Sequence, residues 1–198
     1  MEYQVIPVGP FEVNCVVLWD DRGRATVVDP GADAVALRDA LNARNLQLEQ
    51  IVLTHGHIDH ISALDGLLRT GAAPVYLHAE DAAWAFTDLN RIPPYVRVPS
   101  RPTGLAGLEG GQGLSVAEVD GRVLHTPGHS PGAVCLYLEA ERLLLCGDTL
   151  FAGSVGRTDL PGGNGAKLAR SLKRLAQLPP ETRVIAGHGP ATSIAAEL

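Results

Sequence analysis

The segment Thr54-His55-Gly56-His57-Ile58-Asp59-His60 places four metal-ligand side chains within six positions, directly after the apolar run Ile51–Leu53. In extended chain, side chains two residues apart point the same way, so His55 and His57 can reach one ion together. Asp59 and His60 are adjacent and diverge unless the chain turns, as it does where a helix begins. That arrangement suits two neighbouring ions better than one. Imidazole with carboxylate is the ligand set of Zn, Fe, Mn or Co. A tag or a solvated turn also clusters histidines, but neither would follow a buried strand.

Three further residues can complete such a centre. His129 lies in Thr126-Pro127-Gly128-His129-Ser130-Pro131-Gly132, where glycines permit unusual backbone angles and prolines stiffen the turn. Asp148 follows the apolar run Leu143–Cys146, and a carboxylate there is costly to bury without a partner. His188 stands between two glycines after Val184–Ala186. Taken singly, Asp148 reads as an N-cap or turn residue in preference to a ligand, and His188 carries the same ambiguity. Taken together, the seven supply three ligands for each of two ions plus one shared carboxylate. His125 reads as a satisfied core histidine in preference to a supporting group, and His78 as a solvated strand end.

These residues need rigid elements behind them. Tyr3–Val8, Val13–Trp19 and Ala25–Val28 read as strands. Asp33 is placed to cap a helix running to about Arg44, with Val35, Leu37, Ala40 and Leu41 on its apolar side. A helix is expected near Ile61–Arg69, a strand at Val75–Leu77 and a short helix at Ala79–Phe86. Leu114–Val119, Arg122–His125, Val134–Leu138, Leu143–Cys146 and Val184–Ala186 read as strands, and Ala166–Leu178 as an amphipathic helix stopped by Pro179-Pro180. Thr87–Gly113, rich in Pro and Gly, reads as irregular: a lid or substrate loop, or a plain surface insertion. Repeatedly a strand feeds a short loop bearing His or Asp: Leu53 into His55, Leu124 into His129, Cys146 into Asp148, Ala186 into His188.

The 198 residues suit one domain, 1–198. A net charge of -6 without a basic stretch argues against a nucleic-acid partner. The N-terminus has no basic n-region followed by an apolar run, and no stretch approaches a membrane span, so a cytoplasmic protein without a membrane partner is expected. Cys15, Cys135 and Cys146 lie in apolar stretches and read as buried, inert thiols. Oligomeric state is not readable from these features.

His55-x-His57-x-Asp59-His60, then His129, Asp148 and His188 in that order, resembles the metallo-β-lactamase fold superfamily. Asp29, in Val28-Asp29-Pro30-Gly31, matches the superfamily's first motif, where an Asp supports the metal loop from behind the ligands. Thr126–Gly132, Gly147-Asp148-Thr149-Leu150-Phe151-Ala152-Gly153, Gly156-Arg157-Thr158-Asp159 and Gly187-His188-Gly189-Pro190 are similar to the short glyoxalase II-like, hydroxyacylglutathione hydrolase-like branch. The resemblance covers about Val5 to Pro190. It implies an α+β fold, an αββα sandwich with the metals at one end of two packed sheets. It also implies two divalent ions, Zn foremost with Fe or Mn as alternatives. His55, His57 and His129 would hold one ion and Asp59, His60 and His188 the other, with Asp148 bridging.

The implied activity is hydrolysis of a small-molecule thioester, such as a hydroxyacylglutathione, by a hydroxide generated on the metal. Asp59 could also accept a proton as the tetrahedral carbon collapses. Arg157 is an anion contact for substrate or a buried structural ion pair with Asp159 or another acid; Tyr95 and Arg97 could touch substrate. The C-terminal helical domain of full-length glyoxalase II has no counterpart here, so the glutathione surface it supplies is not expected, nor is β-lactam hydrolysis. The competing reading is a persulfide dioxygenase with one iron on His55, His129 and Asp148. A lactonase or other esterase needs similar chemistry. A nuclease and a purely structural metal site fit less well.

Overall fold

The computed structural model describes residues 1–69, 71–91 and 97–198. Six strands form the first sheet in sequence order: β1 (Glu2–Val8), β2 (Val13–Trp19), β3 (Arg24–Val28), β4 (Gln47–Val52), β5 (Val75–His78) and β6 (Leu105–Leu108). β1, β2 and β3 pair antiparallel, and β3 through β6 run parallel. The second sheet is built from β7 (Gly113–Val116), β8 (Val119–His125), β9 (Val134–Leu138) and β10 (Leu143–Gly147). A small hairpin follows, β11 (Leu150–Phe151) with β12 (Ser154–Val155). β13 (Arg183–Ala186) then returns parallel to β10, and β14 (Thr192–Ser193) closes that edge.

Period-two alternation makes both sheets two-faced and creates three apolar layers. Val16, Leu18, Val28 and Val52 of the first sheet meet Val123, Leu136, Leu145 and Ile185 of the second, forming the central core. The alternate residues Val17, Val27 and Ile51 face outward against α1 (Ala34–Ala43), α2 (Ile58–Ile61) and α3 (Leu64–Leu68), through Leu37, Ile61 and Leu64. α4 (Ala79–Ala82) follows directly on β5, and its Ala82 joins the same layer. On the far side, Tyr137, Leu144 and Val184 pack on Leu175 of α5 (Gly165–Leu175) and Ile194 of α6 (Ile194–Glu197). The order helix, sheet, sheet, helix is the expected αββα sandwich.

The strands fall where the apolar runs place them, with local corrections. Val35 is 61% exposed, so the buried stripe of α1 is carried by Leu37 and Leu41. Asp33 precedes α1 but adopts a left-handed backbone, which turns its carboxylate away from the helix; that carboxylate accepts the Gly9 N–H at 2.8 Å instead. The helical segment after the His cluster begins at Ile58, three residues early, and breaks at Ser62-Ala63. Leu114–Val119 is not one strand: Ala117 and Glu118 both take positive φ, the tight hairpin turn between β7 and β8. Within Thr87–Gly113 lies β6, whose order comes from parallel pairing with β5 and not from its own short sequence.

The three cysteines are free and buried, and burial pushes the Cys135 thiol up to about 11. No helix among the described residues is long and apolar enough to cross a membrane.

Candidate metal centre

The parallel pairs β3/β4 and β10/β13 belong to different sheets, yet their C-terminal ends meet at one end of the sandwich. β3 delivers Asp29, β4 delivers His55 and His57, β10 delivers Asp148 and β13 delivers His188. The β8–β9 loop adds His129, and the first turn of α2 adds Asp59 and His60. The early start of α2 is what turns these neighbours toward a common centre. All seven expected ligands and Asp29 come together.

Hydrogen bonds set which nitrogen of each ring faces the centre. His129 Nδ1 lies 2.8 Å from the Arg157 carbonyl and His188 Nδ1 lies 2.8 Å from the Phe11 carbonyl. A carbonyl only accepts, so both Nδ1 atoms carry the proton and both Nε2 atoms are free to ligate. His60 Nδ1 is 3.1 Å from Asp29 Oδ2, again leaving Nε2 inward. His55 Nδ1 is spoken for by Thr54 Oγ1 at 3.1 Å. His57 offers Nδ1, 2.8 Å from His129 Nε2.

Two ligand groups result: His55, His57 and His129, and Asp59, His60 and His188. Asp148 stands between them. Its Oδ1 is 3.4 Å from His60 Nε2, and its Oδ2 is 3.5 Å from His129 Nε2 and 3.6 Å from His188 Nε2. Asp29 also neighbours His55 and His60, but its oxygens are taken by the Thr54 N–H and hydroxyl and by His60 Nδ1. It supports the centre without facing it. Its backbone sits at φ 51. That strain of about 1–2 kcal/mol is smaller than what three charge-assisted hydrogen bonds of roughly 1.5–3 kcal/mol each return.

The donor set fits divalent metal. His55 Nε2, His60 Nε2 and Asp148 Oδ1 are buried and have no hydrogen-bond partner. Each orphan of this kind costs about 1–3 kcal/mol, and three ligand-type orphans at one spot are what an ion would satisfy. Gly187 makes room for them: a Cβ there would overlap Asp148 Oδ1 and lie 2.7 Å from His60 Cε1.

Without metal, the centre divides its protons unevenly. Burial, reinforced by the neighbouring His60 and His57, holds His55 well below the usual imidazole range. Burial with His129 and His60 beside it brings His57 down to about 4. Burial would also depress His60, but Asp148, Asp29 and Asp59 surround it and raise it well above the usual value. His188 is raised first by its hydrogen bond to Asp59. Burial would raise Asp59 and Asp148, but His60 chiefly holds both below the carboxylate range.

The surrounding carboxylates thus push His60 toward the protonated form, a positive charge where a metal would bring its own. Loading the metal-free chain with Zn²⁺ at pH 7 is expected to release about one proton or more per chain. Protons on His60 and His188 compete with the ion, so affinity at their cluster rises with pH until their raised pKa values are passed. His55 and His57, already neutral, add no such dependence at neutral pH. Calorimetry in buffers of different ionisation enthalpy counts the protons; none released would contradict a protonated His60.

Above the ligands opens a cavity of about 580 Å³, walled by Phe11, Ile58, Trp84, Leu89, Leu160 and Pro161 with Asn90, Arg91 and Arg157. Arg157 lines it, but its guanidinium makes two 2.7 Å bonds to Asp159, whose carboxyl it holds down at about 2. Arg157 thus pairs with Asp159, but the pair is exposed, 61% and 68%, and not the buried one expected, while the Arg157 carbonyl orients His129. Arg97 is exposed and is not among the described residues lining the cavity. Tyr95 lies outside the described residues. Trp84, Phe11 and Arg91 were not foreseen; as single residues in their local sequence they carry no motif. His125 donates Nε2–H to the Pro131 carbonyl at 3.0 Å and stacks on His78 at 4.2 Å, so it is a satisfied structural histidine. His78 is half-buried by that stack and caps α4, and is not a solvated strand end.

Fold and ligand geometry place the chain in a class of metal-dependent hydrolases. It belongs to the metallo-β-lactamase superfamily, whose sequence profile matches residues 8–188. Hydroxyacylglutathione hydrolase GloC of Haemophilus influenzae is 32% identical over 201 residues, covering 100% of this chain and 95% of that protein. Among solved structures, TTHA1623 in a di-iron-bound form is 37% identical with TM-score 0.87, covering 98% of this chain and 96% of its own. The BLEG-1 B3 metallo-β-lactamase is 38% identical with TM-score 0.89, covering 98% and 95%.

Proposed function

We propose that this chain is a two-metal hydrolase that cleaves a small-molecule acyl thioester, with hydroxyacylglutathione thioesters the leading class. The observation that carries the two-metal part is Asp148, whose Oδ2 lies between His129 of one cluster and His188 of the other while Oδ1 faces His60, together with the unpartnered Nε2 atoms of His55 and His60. A single ion on His55, His129 and Asp148 would leave the convergent Asp59, His60 and His188 donors without an ion, so the geometry favours two metals over one.

His55, His57 and His129 would hold the first ion, Asp59, His60 and His188 the second, and Asp148 both. Two bound divalent cations, Zn foremost with Fe or Mn as alternatives, would acidify water and polarise the acyl carbonyl. The chain's own groups do the rest. Asp29 and the Arg157 and Phe11 carbonyls orient the imidazoles. Asp59, ionised and on the cavity wall, can accept a proton as the tetrahedral carbon collapses and thiolate leaves. Trp84, Phe11 and Leu160 shed water around the scissile bond. Arg91, at the same cavity, is placed to meet an anionic end of the substrate.

The substrate class is supported by the kinship to GloC and by a cavity of small-molecule size. The likeness to BLEG-1 gives β-lactams a place in the test. Metal-loaded protein is assayed on S-lactoylglutathione, an aliphatic lactone, a carboxylic ester and a β-lactam. The thioester is expected to show the highest kcat/KM by at least about tenfold, a difference of about 1.4 kcal/mol in transition-state binding. A lactone, ester or β-lactam turned over faster would overturn the thioester assignment and leave the metal centre standing.

A further inference from the structure

Asp81, on α4, belongs to neither ligand cluster, yet it is fully buried at 0% exposure. Its two oxygens collect three hydrogen bonds from two separate loops. Oδ2 accepts the Gly56 N–H at 2.8 Å and the Ser130 hydroxyl at 2.6 Å; Oδ1 accepts the Gly132 N–H at 2.6 Å. Gly56 separates His55 from His57, and Ser130 follows His129. One loop leaves the first sheet and the other the second, and His57 and His129 are 72 residues apart in sequence.

The approach is built for this carboxylate. A Cβ on Gly132 would lie 2.8 Å from Asp81 Oδ1, and one on Gly56 would lie 3.3 Å from Asp81 Cβ and 2.9 Å from Ala85 Cβ. The carbonyl of Gly56 is fixed as well, by the buried Asn90 amide at 2.7 Å. A buried carboxylate is costly unless its donors are all present, and here they come from the two loops that carry the three-histidine face. Asp29 does the corresponding work for His60.

We infer that Asp81 is the positioning residue of the His55–His57–His129 cluster, latching the two loops so that their three imidazoles converge on one ion. This rests on the two-metal reading above. Each Asp81 oxygen faces a backbone N–H, which can only donate. An amide NH₂ in place of either oxygen would oppose donor to donor, so Asp81→Asn releases one loop whichever way the amide turns. The other cluster, Asp59, His60 and His188, makes no hydrogen bond to Asp81 and keeps its geometry.

The test loads the metal-stripped parent and Asp81→Asn with Co²⁺. Affinity at each position is measured by chelator competition, and occupancy is located by anomalous scattering at the cobalt edge in crystals. The parent is expected to bind two ions. Asp81→Asn is expected to lose about 10–100-fold in affinity at the three-histidine position, with the other position unchanged within about threefold and the metal-free melting curve close to the parent's. Equal weakening at both positions, or none at either, overturns the positioning role. A parent that binds fewer than two ions fails earlier, at the two-metal reading itself. Should Asp81→Asn not fold, Ser130→Ala removes one donor without adding bulk; a loss of roughly tenfold confined to the same position is expected, and a change within about threefold there overturns the proposal.

Discussion

Asp148→Ala is expected to lower kcat/KM for thioester hydrolysis by at least about 10³-fold, equivalent to roughly 4 kcal/mol of transition-state stabilisation. The carboxylate faces the centre between both histidine clusters, with contacts of 3.4–3.6 Å to His60, His129 and His188. Without it the two ions lose their shared ligand and the spacing it sets. The fold should persist, because Asp148 lies past the end of β10, outside all three apolar layers. Circular dichroism and the apo melting curve check that point, and steady-state kinetics on metal-saturated protein check the loss. Retained turnover in a folded Asp148→Ala variant would remove the bridging role and the two-metal scheme with it.

Gly187→Ala is expected to have the next largest effect, from a residue that ligates nothing. The position has no positive φ, so alanine brings no backbone strain. The loss comes from space: the new methyl would overlap Asp148 Oδ1 and crowd His60 Cε1. Relief requires Asp148 to rotate away or the strand end to shift, at a cost of about 1–3 kcal/mol of overpacking. Metal affinity should fall by about 10–100-fold, as for loss of a supporting group, and activity should fall with it. Metal counting after gel filtration separates this from a simple stability defect. A Gly187→Ala protein that keeps two ions and full turnover would show that Asp148 does not occupy the position described.

Much of this centre was legible because its ligands sit at the ends of strands that are apolar along their length. Leu143–Cys146 and Val184–Ala186 announce themselves as buried, so the Asp and His that follow stand out. The family motifs then order the seven ligands. What stayed hidden depends on contacts distant in sequence. β6 is four residues among glycines, and only its pairing with β5 orders it. Asp81 reads locally as one acid in a short helix; its burial appears when Gly56 and Gly132 close over it. The Arg157 carbonyl orients His129 through the backbone, which leaves no side-chain signature. The cavity wall is assembled from single residues, Phe11, Trp84 and Leu160, drawn from three distant segments. Arg97 shares an irregular stretch with residues near the cavity but points to solvent, an outcome that composition cannot decide.

The central claim is that two metals, held by these seven side chains, drive hydrolysis without oxygen. It is tested most directly by anaerobic assay of S-lactoylglutathione with protein whose Zn, Fe and Mn are quantified, following thiol release. The account predicts about two ions per chain, as the bridged centre requires, and release that stops on chelation and returns with added metal. A chain that binds one iron, releases no thiol anaerobically and consumes oxygen with a persulfide would contradict it.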